Sequence, residues 1–208
     1  MLDQNRFHQL WQRLTDHQDS SSLFADLVNH YSQNDRYYHN DEHIKDCLRQ
    51  FDFGRQLAID SDMVELAIWF HDVIYDSKAK DNEEQSAVFC ANALTRANVP
   101  HEVVQSASTL ILITRHAEEP TTQDEKLIVD IDLSILGQEP EKFAQYERQI
   151  RLEYAWVPEE QFRVGRRAVL QGIFNRKSIY YTQLFQQRFE LQARKNLVNS
   201  MSALQGSQ

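Results

Sequence analysis

Glycine and proline are scarce in this chain, with five and four residues respectively among 208. Hairpins and tight turns depend on these residues, so their scarcity favours helices over a fold of short strands. The two cysteines, Cys47 and Cys90, lie far apart within apolar helical patterns, which indicates buried thiols and argues against a disulfide framework. The amino terminus has no signal-peptide hydrophobic core and no apolar run could span a membrane, so we expect a cytoplasmic protein that does not bind a membrane.

Charge is acidic overall but unevenly distributed. The formal net charge of −9 argues against a nucleic-acid polymer as a partner. Residues 1–140 contain 11 basic and 25 acidic side chains, whereas residues 141–208 contain 11 and 6. An anionic ligand would therefore find more positive charge in the carboxy-terminal third.

Apolar residues recur with helical spacing along most of the chain, and no alternating pattern is long enough to predict a strand. The sequence therefore predicts an all-α fold. We expect a single helical domain over residues 1–200, followed by a frayed tail at residues 201–208.

The apolar run of residues 63–70 leads directly into His71-Asp72. It is too short to cross a bilayer and is typical of a buried core helix. An imidazole and a carboxylate at the end of such a helix need partners, because unpaired polar groups are costly to bury. A hydrogen bond between them would serve, and so would a divalent cation held by nitrogen and oxygen ligands.

Two other segments carry residues of the same kind. His39 and His43 are four positions apart and would stack on one helical face if the helix begins by residue 39. Asp132 lies within an apolar helical stripe, where its carboxylate needs a metal, an arginine or a helix amino terminus. Asp130 points to a different face, so we expect it to support a ligand or to have a structural role.

The order His43, His71-Asp72 and Asp132 resembles the HD superfamily of metal-dependent phosphohydrolases, in which such residues from different helices hold one divalent metal. The resemblance implies that these four residues are the metal ligands. It covers about residues 35–137 and implies a helical bundle of the HD-domain type, with extra carboxy-terminal helices at about residues 140–200.

The segment from His39 to His43 is also similar to a stretch of cyclic-nucleotide phosphodiesterases. That similarity implies that His43 is the ligand and His39 the general acid. Residues 36–39, 69–72, 82–87 and 130–137 resemble a bacterial group of predicted HD phosphohydrolases. Shorter segments at residues 150–154, 157–158 and 165–166 do so too, and with them this resemblance extends over nearly the whole chain. The resemblance implies a reaction class and names no substrate.

Mixed imidazole and carboxylate ligands favour Mn²⁺, Fe²⁺, Zn²⁺, Co²⁺ or Ni²⁺ over Mg²⁺. Four protein ligands would leave positions for a water and a phosphoryl oxygen. The residues expected to take part in catalysis are His39, Asp72 and His116, the last because related HD proteins often carry a histidine near this place. An ordinary helix-end role for His116 is equally consistent with the pattern.

A phosphorylated substrate also needs positive charge beyond the metal, and arginine suits bidentate phosphate contacts. The candidate substrate-binding residues are Arg36, Arg148, Arg151, Arg163, Arg166 and Arg167. At least half of the arginines after residue 140 are expected to pair with glutamates instead.

The sequence therefore predicts a metal-dependent phosphohydrolase acting on a small phosphorylated metabolite, with a nucleotide favoured. One alternative is an alarmone-type pyrophosphohydrolase. Those enzymes carry Glu-Asp three and four residues after the His-Asp pair, where this chain has Tyr75-Asp76. Another alternative is a non-catalytic regulatory domain that binds a nucleotide or metal. A homo-oligomer is left open.

Overall fold

The computed structural model describes residues 1–16 and 19–205, and these residues form helices and no strand. The predicted all-α fold is confirmed for this part of the chain. The helices are α1 (Gln4–Leu14), α2 (Ser21–Tyr31), α3 (Asp41–Gly54), α4 (Ser61–Phe70), α5 (Asn82–Arg96), α6 (His101–Leu112), α7 (Gln123–Asp132), α8 (Pro140–Glu153), α9 (Glu159–Phe174), α10 (Gln183–Phe185) and α11 (Leu191–Gln205). No helix within the described ranges is long and apolar enough to cross a membrane.

The chain divides into two compact units, one of residues 1–129 and one that begins at Asp130. The single domain expected over residues 1–200 stays a prediction. Of the tail expected at residues 201–208, residues 201–205 continue helix α11, and residues 206–208 lie outside the described residues.

Helix α4 forms the centre of the first unit, and every residue from Met63 to Phe70 is buried. Trp69 is completely buried and packs edge-to-face against Phe7 of α1, with ring centroids 5.3 Å apart. A run without a polar face thus forms a helix that is covered on all sides, as the sequence predicted.

Glu65 is the acidic residue within this run, and only 1% of its surface is exposed. Its carboxylate accepts hydrogen bonds from Arg6 Nε at 2.6 Å and from Arg55 Nη2 at 2.5 Å. Two guanidinium partners compensate for the hydration that the carboxylate loses on burial. They also connect α1 and the 3₁₀ segment after α3 to the middle of α4.

The carboxyl end of α4 is closed by hydrogen bonds. The last four carbonyls of a helix lack partners within it, and here two of them accept from backbone amides just beyond the helix. The other two accept from side chains: Ile68 O from His71 Nδ1 at 2.9 Å, and Trp69 O from the Tyr31 hydroxyl at 3.0 Å. This closure fixes where His71 and Asp72 leave the helix.

Helix α7 begins with a capping box. The Thr122 hydroxyl accepts from the amide of Glu125, and the Glu125 carboxylate accepts from the amide of Thr122 at 3.0 Å. The next carboxylate, Asp124, accepts from the amides of Ile59 and Asp60 at 2.7 and 3.0 Å. These bonds attach the first turn of α7 to the segment from which α4 begins.

Gly137 ends a 3₁₀ segment, Leu133–Gly137, that follows α7 in the second unit. Helix α7 itself ends at Asp132, five residues before this glycine. None of the described glycines has a positive φ. An added Cβ at Gly137 would lie 2.5 Å from Phe189 Cβ and 2.7 Å from Phe189 O, so glycine is needed here for close approach.

Candidate metal centre

His43 lies in the first turn of α3 and is 4% exposed. The helix begins at Asp41, because the Asn40 side chain caps it by accepting from the Glu42 amide. His39 therefore precedes the helix, and the condition for stacking His39 and His43 on one helical face, a helix that begins by residue 39, is not met. Their rings are nevertheless near each other, with centroids 6.0 Å apart.

Three potential ligand atoms form a nearly equilateral triangle in the first unit. His43 Nε2 lies 3.2 Å from His71 Nε2. Asp72 Oδ2 lies 3.3 Å from the first of these nitrogens and 3.2 Å from the second. The sequence predicted that these three residues converge, and the structure brings them together.

The triangle has the size that a metal ion requires. Three atoms with this separation can all lie about 2.1 Å from one point, which is the usual distance of nitrogen and oxygen ligands from a transition metal. The angles between the three bonds would then be about 100°, between the octahedral and tetrahedral values. The donor set of two imidazoles and one carboxylate fits such an ion.

The hydrogen bond from His71 Nδ1 to Ile68 O sets the tautomer of this histidine. A carbonyl oxygen only accepts, so Nδ1 carries a proton, and in the neutral ring Nε2 has the lone pair. A backbone carbonyl that orients a metal-binding imidazole in this way is a common supporting arrangement. His71 is therefore oriented to present Nε2 as a ligand atom.

Asp72 is held in its charged form by the surrounding imidazoles. Burial alone would raise the pKa of this carboxyl, but His71, His43 and His39 outweigh that effect and hold the pKa well below its usual range. A deprotonated carboxylate is the form that binds a cation.

A wider group consists of His43, Cys47, His71 and Asp132. Each offers one ligand atom, and these atoms all lie within 4.8 Å of one another. The two histidines and Cys47 are buried, and Asp132 is partly so. This group could hold a metal ion, and it includes Asp132, the last residue of α7.

Cys47 was missed as a site residue, since the sequence indicated only a buried thiol. Its position four residues after His43 on the same helix is the signal that could have found it. The sulfur lies 3.8 Å from His43 Nδ1 and 3.7 Å from Nε2. Because these distances are nearly equal, the sulfur sits beside the imidazole and not in line with the Nε2 lone pair.

No protein-family model, curated protein or solved structure matches this chain. The grounds for a function are therefore structural: the described residues form helices and no strand, and they include the buried group of His43, Cys47, His71 and Asp132. Any function has to be inferred from the geometry of these residues.

His39 lies beside the triangle and is half-buried. Its ring stacks on Tyr75 with centroids 4.1 Å apart and meets the Tyr38 ring edge-to-face at 5.0 Å. It also contributes to the lowered pKa of Asp72, so it is close enough for its charge to act on that carboxylate. His39 does not belong to the group of clustered ligand atoms within the described residues.

His116 ends the 3₁₀ segment Ile113–Arg115, with a left-handed φ of 56°. Such a backbone is uncommon for a residue other than glycine, although histidine tolerates it better than most. Within the described part of the chain, His116 is not among the residues whose ligand atoms cluster. Its catalytic role stays a prediction.

Asp130 anchors the chain of the second unit. Its carboxylate accepts from the amides of Tyr181 and Thr182, both at 2.7 Å, and from the Thr182 hydroxyl at 2.6 Å. Burial raises the pKa of Asp130 to about 6, although the three hydrogen bonds oppose this shift. These contacts give Asp130 the structural role that was one of the two expectations.

Three of the five candidate arginines after residue 140 direct donors to acceptors in the second unit. Arg151 binds Glu159 and the carbonyls of Tyr154 and Val157, Arg163 binds Leu204 O, and Arg166 binds Glu147 at 2.5 Å. Arg148 and Arg167 are exposed. The pairing with glutamate that the sequence predicted is present at Arg151 and Arg166.

Arg36 is placed differently, since only 5% of its surface is exposed. Its guanidinium donates to the carbonyls of His39, Asp72 and Val73. The expected contact with a substrate phosphate stays a prediction, and these bonds favour another role.

Proposed function

We propose that this protein is a metal-dependent phosphohydrolase of the HD type, acting on a small phosphorylated metabolite, with a nucleotide as the first candidate. The observation that carries the proposal is the triangle of His43 Nε2, His71 Nε2 and Asp72 Oδ2, with sides of 3.2–3.3 Å. Asp132 is the fourth proposed ligand, because its carboxylate oxygen belongs to the wider group.

The proposed ligands divide the work of holding a metal. His71 presents Nε2 because its Nδ1 donates to Ile68 O. Asp72 supplies negative charge, since its pKa is held low. When bound, a divalent metal would supply positive charge against a phosphoryl oxygen and would make a water more acidic. The donor set favours Mn²⁺, Fe²⁺, Zn²⁺, Co²⁺ or Ni²⁺ over Mg²⁺.

His39 is the proposed general acid. It lies outside the triangle, and its ring is held by the stacking contact with Tyr75. A histidine in this position can donate a proton to the oxygen of the leaving group. That oxygen must gain a proton because hydrolysis of a phosphate ester releases the leaving group as an alcohol.

The contact of Tyr75 favours this proposal over an alarmone-type pyrophosphohydrolase. Those enzymes carry a glutamate at the position of Tyr75. Here that position is occupied by a ring that stacks on His39 at 4.1 Å. Tyr75 therefore orients His39 and cannot act as a carboxylate.

The test is metal analysis of the purified protein, followed by a phosphate-release screen over nucleotides and sugar phosphates with Mn²⁺, Co²⁺ and Mg²⁺. The proposal expects a bound transition metal and turnover that a chelator abolishes. A metal-loaded protein that binds nucleotides without hydrolysing them would support the regulatory-domain alternative. A protein that binds none of the metals would contradict the proposed function.

A further inference from the structure

Arg36 connects two segments that carry proposed site residues. It lies between α2 and α3, three residues before His39. Its Nη1 donates to Asp72 O at 2.6 Å and to His39 O at 3.3 Å, and its Nη2 donates to Val73 O at 2.8 Å. One planar group thus holds the main chain at His39 and the main chain just after His71.

Aromatic rings restrict the guanidinium further. Its Cζ atom lies 5.5 Å from the Tyr31 ring centroid and 5.7 Å from that of Tyr75, both within the range of a cation–π contact. Each ring also makes a second contact. Tyr31 donates its hydroxyl to Trp69 O at the end of α4, and Tyr75 stacks on His39.

The charge of Arg36 also suits this location. The carbonyl end of a helix carries a partial negative charge, and a cation near it is stabilised. Arg36 lies near the carboxyl end of α4 and takes two carbonyls, those of Asp72 and Val73, that directly follow the helix. The Nε donor is directed away from them, to the Gln33 side-chain oxygen at 2.9 Å.

We infer that Arg36 is a positioning residue, which fixes the distance between His39 and the His71-Asp72 pair and does not bind the substrate. The catalytic meaning of this inference rests on the proposed function, because it assumes that His39 and the pair act together. Lysine could not replace Arg36. Its ammonium is a point charge on a flexible stem, whereas the rigid fork of a guanidinium reaches several carbonyls at once.

The first test needs no metal. Histidine side-chain resonances are recorded by ¹⁵N NMR on the metal-free protein and its Arg36→Lys variant. We expect the signals of both His39 and His71 to shift in the variant, with those of His8 and His101 unchanged. The control is Leu94→Ala, which removes a buried side chain of α5 and destabilises the fold elsewhere. Unchanged His39 and His71 signals in Arg36→Lys, or equal shifts in Leu94→Ala, would overturn the inference.

The second test uses Co²⁺, whose visible absorption reports the geometry of its ligands. Arg36→Lys should change this spectrum and weaken Co²⁺ binding by about 10–100-fold, as the loss of a supporting residue commonly does. The value of KM should change less than kcat, because the residue is inferred not to contact substrate. A selective rise in KM with an unchanged spectrum would instead make Arg36 a substrate ligand and overturn the inference.

A milder variant covers the case in which Arg36→Lys does not fold. Gln33→Ala removes only the acceptor of the Nε donor from an exposed residue. Gln33→Ala should shift the His39 and His71 signals by less than Arg36→Lys does. Unchanged signals would count against the inference. The proposed function fails separately, if wild-type protein binds no metal or releases no phosphate.

Discussion

His43 and His71 direct their Nε2 atoms at each other across 3.2 Å, although the two residues are 28 positions apart in the chain. Two imidazole nitrogens at this distance can share at most one proton. His71 carries a proton on Nδ1, and when the ring is neutral its Nε2 has a lone pair that faces the second ring. Such an arrangement is stabilised by a cation between the nitrogens.

Metal loading should therefore stabilise the fold. A ligand that binds only the native state at 100 times its Kd adds about 2.7 kcal/mol to the free energy of unfolding. For a chain of this length, each kcal/mol raises the melting temperature by about 2–4 °C. Calorimetry with Co²⁺ or Zn²⁺, compared with chelator-treated protein, measures the shift. Equal melting temperatures in the two samples would contradict a metal site.

Asp72 and Cys47 should differ in their importance for metal binding. Asp72→Ala removes one corner of the triangle. Loss of a residue that only supports a ligand weakens metal affinity by roughly 10–100-fold, so Asp72→Ala should weaken Co²⁺ affinity by at least this factor. Cys47→Ala should leave the metal stoichiometry unchanged, because the sulfur lies beside the His43 ring. Titration calorimetry gives both affinities. A thiolate-to-metal charge-transfer band in the wild-type Co²⁺ spectrum, lost in Cys47→Ala, would show that the sulfur is a ligand after all.

His39 and His43 should separate turnover from metal binding. His39→Ala is expected to lose most phosphate release, by about 10²–10⁴-fold for a general acid, while keeping its metal. His43→Ala should lose both, since it supplies a corner of the triangle. Metal content and phosphate release are measured on the same preparations. If His39→Ala loses the metal as well, the assignment of the two histidines is wrong.

Two glycine substitutions should have opposite effects on stability. Gly137→Ala would place a Cβ within 2.5 Å of Phe189 Cβ and should cost about 1–3 kcal/mol through overpacking. Gly172→Ala places a Cβ on α9 with no atom within 4 Å, and should add about 0.5–1 kcal/mol because alanine favours a helix. Urea unfolding measures both. A neutral Gly137→Ala would show that the segment at Phe189 can move aside.

The capping box of α7 should weaken in acid. Burial would raise the pKa of Glu125, but hydrogen bonds from Thr122 and Thr121 outweigh it and lower this pKa from its usual value. A carboxyl with a lowered pKa stabilises the fold above its unfolded pKa, and this stability is lost as the pH falls through the folded pKa. At neutral pH the free energy of unfolding should therefore be larger for wild type than for Glu125→Gln. This difference should disappear when urea unfolding is repeated below pH 4.5. Thr122→Ala, in contrast, should cost about 0.5–2 kcal/mol at neutral pH. An advantage that persists in acid would show that the charge of Glu125 is unimportant.

Local patterns in the sequence were sufficient to predict the all-α fold, whereas the meeting of His43, His71 and Asp72 was predicted from the resemblance to the HD superfamily. The run of residues 63–70 has no polar face, which requires a buried helix and places His71-Asp72 at its end. The exact start of α3 was not predictable from spacing. The cap formed by Asn40 excludes His39 from the helix, and a four-residue spacing alone cannot show this.

Contacts that depend on distant parts of the chain could not be predicted. Asp130 is bound by residues more than 50 positions further along, so its partners leave no local pattern. Arg36 is adjacent to a histidine segment in the sequence, and a phosphate contact was a reasonable expectation. Its acceptors are backbone carbonyls, which every residue carries, so no residue type in the sequence indicates them.

The bonds of Arg36 have a consequence for measurements of activity against pH. Backbone carbonyls do not titrate, and a guanidinium keeps its charge across the range in which enzymes are assayed. The framework that holds His39 near Asp72 is therefore insensitive to acid and base. A change of turnover with pH in this range would therefore not arise from the loss of the hydrogen bonds that Arg36 donates to these carbonyls.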